Sequence, residues 1–113
     1  MRRRVEDFKG GFEALSKGNP RAAEGFSTFM DAILEDGALD AKTKGLIALA
    51  AALAAGCESC VAVYVQRSLA AGATRDEVSE AAGVAVLVGG ASALARMAEV
   101  ERALDEFAWR QSI

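Results

Sequence analysis

Histidine is absent from this chain of 113 residues, and cysteine occurs only twice, at Cys57 and Cys60. A structural zinc site takes four ligands, drawn mostly from those two residue types. One copy of the chain therefore cannot close such a site, and metal binding would need a cysteine pair from a second copy or help from carboxylates. Positive charge is not in excess either, because the net charge is −3 with 26% charged residues of both signs. Nucleic-acid binding requires a basic patch that neutralises phosphates, so no nucleic-acid partner is expected.

Long apolar runs are also missing. Leu46 to Cys57 is nearly apolar but too short to cross a bilayer as a helix, and the run Val84 to Val88 stops at Gly89-Gly90. The start Met1-Arg2-Arg3-Arg4 resembles the basic head of a secretion signal, yet acids and lysines interrupt Val5 to Gly18, where such a signal needs an apolar core. The expectation is a soluble cytoplasmic protein with no membrane partner, in a reducing setting. No cofactor is called for: Gly89-Gly90-Ala91 lacks the spacing of either phosphate-binding glycine motif. Aromatic residues make up only 6% of a chain that is 52% hydrophobic. Its Ala and Gly content suits closely packed helices better than strands, and the length fits one domain spanning 1–113.

What is present reads as an all-α chain of about six helices. Val5, Phe8, Phe12 and Leu15 recur at spacings of three and four, giving one apolar helix face across Gly10-Gly11. Asn19 and Pro20 restart the chain as N-cap and first helical residue. Phe26, Phe29, Met30, Ile33 and Leu34 stripe a second helix that Asp36-Gly37 ends. Asp40 caps a third, Ala41 to about Ala55, which is apolar nearly all round and hence the candidate central element. A fourth carries Cys60, Val61, Tyr64, Val65 and Leu69 and closes at Ala71-Gly72. Thr74 to Glu77 matches a capping box opening a fifth helix, in which Gly83 and Gly89-Gly90 point to a close neighbour. The sixth, Ala91 to about Trp109, would bury Leu94, Met97, Ala98, Leu104 and Phe107 and solvate Arg96, Glu99, Glu101, Arg102, Asp105 and Glu106.

The chemistry centres on Gly56-Cys57-Glu58-Ser59-Cys60. This C-x-x-C follows a helix-breaking glycine and runs into a helical pattern, so its thiols lie near a helix N-terminus, where free N–H groups favour thiolate. The plainer alternative is two small apolar residues filling a core.

Four segments together resemble the carboxymuconolactone decarboxylase and alkylhydroperoxidase AhpD-like family: Lys42-Thr43-Lys44-Gly45-Leu46-Ile47-Ala48-Leu49, Gly56 to Cys60, Ala71-Gly72-Ala73-Thr74-Arg75-Asp76-Glu77, and Gly83-Val84-Ala85-Val86-Leu87. The resemblance covers roughly residues 25–107. It implies a helical bundle with a hairpin around the cysteine motif, assembled as a homotrimer or homohexamer. It also implies a dithiol/disulfide that reduces hydroperoxides or serves a peroxidase partner, supplied by a thiol electron donor. Cys60 matches the attacking cysteine and Cys57 the resolving one.

The chain departs from that pattern at two places. The family's glutamate after Lys-Thr-Lys is Gly45 here, and its histidine four residues beyond the second cysteine is Tyr64. The proton relay is thereby lost. Tyr64 lies one turn beyond Cys60 and can face its sulfur, so the candidate catalytic set is Cys57, Cys60 and Tyr64. A phenol is a poor base at neutral pH. Lys42 and Lys44 are charges that solvent ordinarily claims. One further expectation is that the two departures are coupled, the ring of Tyr64 filling the space that Gly45 vacates. The functional expectation is an AhpD-like thiol-disulfide oxidoreductase with weak alkyl hydroperoxide reductase activity. The alternative is a non-catalytic assembly or redox-sensing protein that kept the fold. Lactone decarboxylation, the family's other activity, lacks a histidine for acid-base work.

Overall fold

A computed structural model describes residues 2–107 of the chain, all of its regular structure helical. The helices are α1 (Arg2–Gly18), α2 (Pro20–Leu34), α3 (Ala41–Ala55), α4 (Glu58–Ala70), α5 (Arg75–Gly89), α6 (Ala91–Ala95) and α7 (Met97–Phe107). None is long and apolar enough to cross a membrane.

Local chemistry sets most of the boundaries. Asp40 caps α3 by accepting the Thr43 amide at 2.8 Å, and Asp36 accepts the Ala41 amide just ahead of it at 2.7 Å. The Thr74 hydroxyl accepts the Glu77 amide at 3.1 Å while the Glu77 carboxylate accepts the Thr74 amide at 2.9 Å, completing the capping box of α5. Each pair satisfies donors that a helix start leaves free. Asn19 does hold the N-cap position ahead of Pro20, but its side chain makes no capping bond.

The core lies between α3, α4, α5 and α7. Leu49 and Leu53 of α3 meet Val61 and Val65 of α4, Val78 of α5, and Val100 and Leu104 of α7, all fully buried. Each such side chain contributes about 1.5–3 kcal/mol of hydrophobic stabilisation. The central helix is α4 rather than α3. It is packed by α3, α1 and α7 and buries Val61, Ala62, Val63, Val65, Ser68 and Leu69, whereas α3 leaves Ile47 and Ala51 exposed. An all-round apolar helix was the sequence signal for centrality, and alanine weakens that signal because its small side chain is tolerated on either side.

Two other expectations shift. The helix expected from Ala91 onward is divided at Arg96, giving α6 and α7, and the expected end at Trp109 lies outside the described residues. Its buried face is Ala93, Val100, Ala103 and Leu104, while Leu94 and Ala98 are exposed, because the break rotates the two halves relative to a single continuous period. On α2 only Ala23 and Met30 are buried, and Phe26, Phe29 and Ile33 of the apolar stripe face outward. Phe26 does reach back toward α1, its ring centroid 6.4 Å from that of Phe12.

Candidate functional site

The turn between α3 and α4 is built by one glycine. Gly56 has φ of 80° and ψ of 24°, a left-handed conformation that side-chain-bearing residues adopt only at a cost. Its amide points back to the carbonyls of Ala52 and Leu53, and the Cys57 amide donates to Ala52 at 3.0 Å. Those bonds close the C-terminus of α3. The next residue, Cys57, is already the N-cap of α4, so one helix ends and the next begins within two residues.

Cys57 and Cys60 are joined by a disulfide with Cα atoms 5.2 Å apart. Cys57 Sγ also accepts the Cys60 amide at 3.2 Å, the place a serine or aspartate oxygen takes in an ordinary N-cap. The sulfur pair therefore sits on the positive end of α4. Both cysteines are half-buried, Cys60 against the main core. Between them, Glu58 pairs with Arg4 of α1, which ties the N-terminal helix to the motif, and the Ser59 hydroxyl lies 3.9 Å from Cys57 Sγ.

Tyr64 follows Cys60 by one turn of α4 and packs half-buried against the same core. The space that Gly45 leaves, where the ring of Tyr64 was expected, is met first by Ser68. A Cβ on Gly45 would meet Ser68 first, with Oγ at 3.0 Å, Cα at 3.3 Å and Cβ at 3.6 Å. The space beside Gly45 is closed by the backbone of α4 coming close, one turn past Tyr64. Ser68 is fully buried, and its hydroxyl donates to the Tyr64 carbonyl at 2.6 Å. Sequence reasoning missed Ser68, although a lone serine in the stripe Val61, Val65, Leu69 was a visible irregularity.

The lysines are remote from the sulfurs. Lys42 pairs with Glu77 at 2.8 Å and Lys44 donates to the Glu35 carbonyl at 2.7 Å. Both are at the start of α3, about 20 Å along the helix from Gly56 at 1.5 Å per residue. The hydrogen bond to Glu77 raises the Lys42 pKa and, reciprocally, lowers that of Glu77.

Arg96 behaves differently from the solvated residue expected at its position. It is half-buried, and its guanidinium lies across Gly56, where a Cβ would stand 3.2 Å from Nη2. Nη1 donates to the carbonyl and hydroxyl of Ser92. No local period in the sequence could place this side chain, because it follows from the break between α6 and α7. Among the described residues, no cluster of three or more histidine, cysteine or acidic side chains is arranged to hold a metal ion.

Comparison with known proteins matches this architecture. A family model described as the carboxymuconolactone decarboxylase family covers residues 20–105. A solved structure of a member of that family from Legionella pneumophila is 38% identical, with a TM-score of 0.86 over 93% of this chain and 94% of its own. Another, from Thermotoga maritima, for which involvement in an antioxidative response has been suggested, is 27% identical, with a TM-score of 0.83 over 97% and 93%. An uncharacterized protein of Cupriavidus necator is 33% identical over 90 residues, 80% of either chain.

Proposed function

Since this chain belongs to the carboxymuconolactone decarboxylase family, we propose that it works as an AhpD-like thiol-disulfide oxidoreductase whose Cys57/Cys60 pair cycles between dithiol and disulfide. The observation that carries this reading is the Cys57–Cys60 disulfide at the N-cap of α4, with Cys57 Sγ accepting the Cys60 amide. Helix termini of this kind lower thiol pKa values and so raise the thiolate fraction at neutral pH. A hydroperoxide would be reduced to alcohol and water while the two thiols become the disulfide, and a cytoplasmic thiol donor would restore them. With Gly45 and Tyr64 in place of the family's glutamate and histidine, peroxide turnover is weak. Self-association as a trimer or hexamer belongs to the same reading, supported by the exposed Leu87 and Val88 of α5.

A second reading, a redox-sensing or assembly protein without turnover, is favoured by the contact of Gly45 with Ser68, where even a Cβ would stand 3.0 Å from the serine hydroxyl. Redox titration of the pair, followed by peroxide turnover with a dithiol donor, separates the two. Two thiols that resist mild oxidation in the native protein would overturn both. A reversible disulfide without turnover would leave the sensing reading, and turnover lost in Cys60→Ser would establish the first.

A further inference from the structure

The outward stripe of α2 lies on a different helix from Leu87 and Val88. Phe26 is 44% exposed, Phe29 64% and Ile33 54%. At about 3.6 residues per turn these three share one flank of α2, beside the buried Ala23 and Met30, while Glu24 and Asp31 fall on the other flank. No charge of α2 interrupts the stripe. Exposed apolar surface rimmed by polar residues marks an interaction site. At Phe26 the stripe adjoins a groove of about 290 Å³ between α1 and α2, lined by Phe8, Phe12, Leu15 and Phe26.

The ends of α2 carry charge of the wrong sign for a helix on its own. Arg21 stands in the first turn, and Glu35 and Asp36 follow the last residue, Leu34, although a helix favours anions at its start and cations at its end. Neither the Arg21 guanidinium nor the Glu35 carboxylate has an ion-pair partner among the described residues. Within one chain this arrangement opposes the helix dipole and gains nothing in return.

We propose that α2 packs antiparallel on α2 of a second copy, about a two-fold axis near Phe29. The axis sets Phe29 against the partner's Phe29, Phe26 against the partner's Ile33, and Arg21 beside the partner's Glu35, with the same pairings repeated at the other end. A two-fold contact is self-complementary in this sense. The partner's Ile33 reaches the groove beside Phe26. Each helix start also faces the partner's helix end, so charges that opposed the dipole within one chain are offset across the axis.

This inference rests on the self-association proposed above and adds a second contact to it. A single helical stripe buries less than the total of about 1,200 Å² typical of a stable pair, so the α2 contact alone holds two copies only above micromolar concentration. A trimer closed through α5 leaves every α2 outward, and two such trimers meet through several α2 contacts at once. Linked contacts of this kind act at high effective concentration. The assembly is then a hexamer, one trimer facing another, and not a free trimer.

The test is light scattering of the intact protein and its variants at micromolar concentration, with helical circular dichroism checking the fold of each. The parent should be a hexamer and Phe29→Asp a trimer. Arg21→Glu should raise the concentration at which trimers pair by about tenfold. Glu35→Arg should weaken pairing as much, although a cation suits the end of α2 better within one chain. Arg21→Glu with Glu35→Arg should restore the parent value, and if Phe29→Asp loses its helical signal this charge exchange decides. A hexamer that Phe29→Asp leaves whole, a charge exchange that restores nothing, or a trimeric parent overturns the α2 pairing and leaves self-association through α5 standing. A trimeric parent that sediments with phosphatidylglycerol vesicles, and loses that binding in Phe29→Asp, overturns it by assigning the stripe to a lipid surface. A monomeric parent removes both contacts.

Discussion

Gly45 of α3 and Ser68 of α4 touch so closely that a single added methyl group on the glycine would stand 3.0 Å from the serine hydroxyl and 3.3 Å from its Cα. The hydroxyl can turn away, but the Cα belongs to a buried helix. Gly45→Ala is therefore expected to destabilise the fold by about 1–3 kcal/mol through overpacking, although alanine is the better helix former by about 1 kcal/mol. Gly45→Glu should be worse, with or without Tyr64→His. Urea denaturation of the variants checks this, and an alanine variant more stable than the parent would show that α4 can yield.

Gly56→Ala meets two obstacles, the left-handed backbone and the Arg96 guanidinium. The backbone alone should cost about 1–2 kcal/mol. Thermal unfolding should register that loss, and iodoacetamide reactivity of the reduced cysteines should change as the turn that presents them shifts. Loss of stability without any change in reactivity would separate the glycine from the sulfur chemistry.

Reduction of the disulfide should leave the fold intact. The bridge closes a loop of only a few residues, for which chain entropy predicts a stabilisation of about 2 kcal/mol. The helical circular dichroism of the reduced protein should match that of the oxidised one, with a modest drop in urea midpoint. Collapse on reduction would mean that the disulfide is structural and not a working redox couple.

Acid should weaken the helix caps. Hydrogen bonds from Thr43 hold Asp40 below the ordinary carboxylate range, and the hydrogen bond from Lys42 does the same for Glu77. A carboxylate with a depressed folded pKa stabilises above its unfolded value, about 4, and that contribution is lost as pH falls through the folded value. Lys42 runs the other way: its raised pKa supports the fold below about 10.4, and that support is lost as pH rises through the folded value. Asp40→Asn and Lys42→Met should each flatten the acid limb of a stability profile measured between pH 6 and 2. An unchanged limb would assign acid sensitivity to other groups.

Leu87 and Val88 are 83% and 78% exposed on α5. In the self-associating reading they are covered by a second copy, so the double substitution Leu87→Asp with Val88→Asp should yield monomers in light scattering at micromolar concentration. A parent protein that is itself monomeric removes the premise.

How far the sequence could be read depended on the range of the interaction. Asp40, Gly56 and Thr74 act on residues within five positions, and their caps and turns were legible because the chemistry is local. The cysteine motif was legible for the same reason. The approach of Ser68 to Gly45 and of Arg96 to Gly56 joins helices at separations that no period encodes. A serine in an apolar stripe and an arginine on a charged face gave only indirect signs. The stripe of Phe26, Phe29 and Ile33 correctly marked a helix, but a period reports which residues share a face and not whether anything covers it.

The two-residue junction at Gly56 and Cys57 also bears on how the chain folds. Because α3 and α4 supply much of the core and adjoin in sequence, their pairing needs little loop closure, and local contacts of this kind favour fast folding. The hairpin is thus expected to act as the folding nucleus, with α1 and α2 docking afterwards. A newly made chain would then bring its two thiols together early, before the rest of the bundle has closed over them.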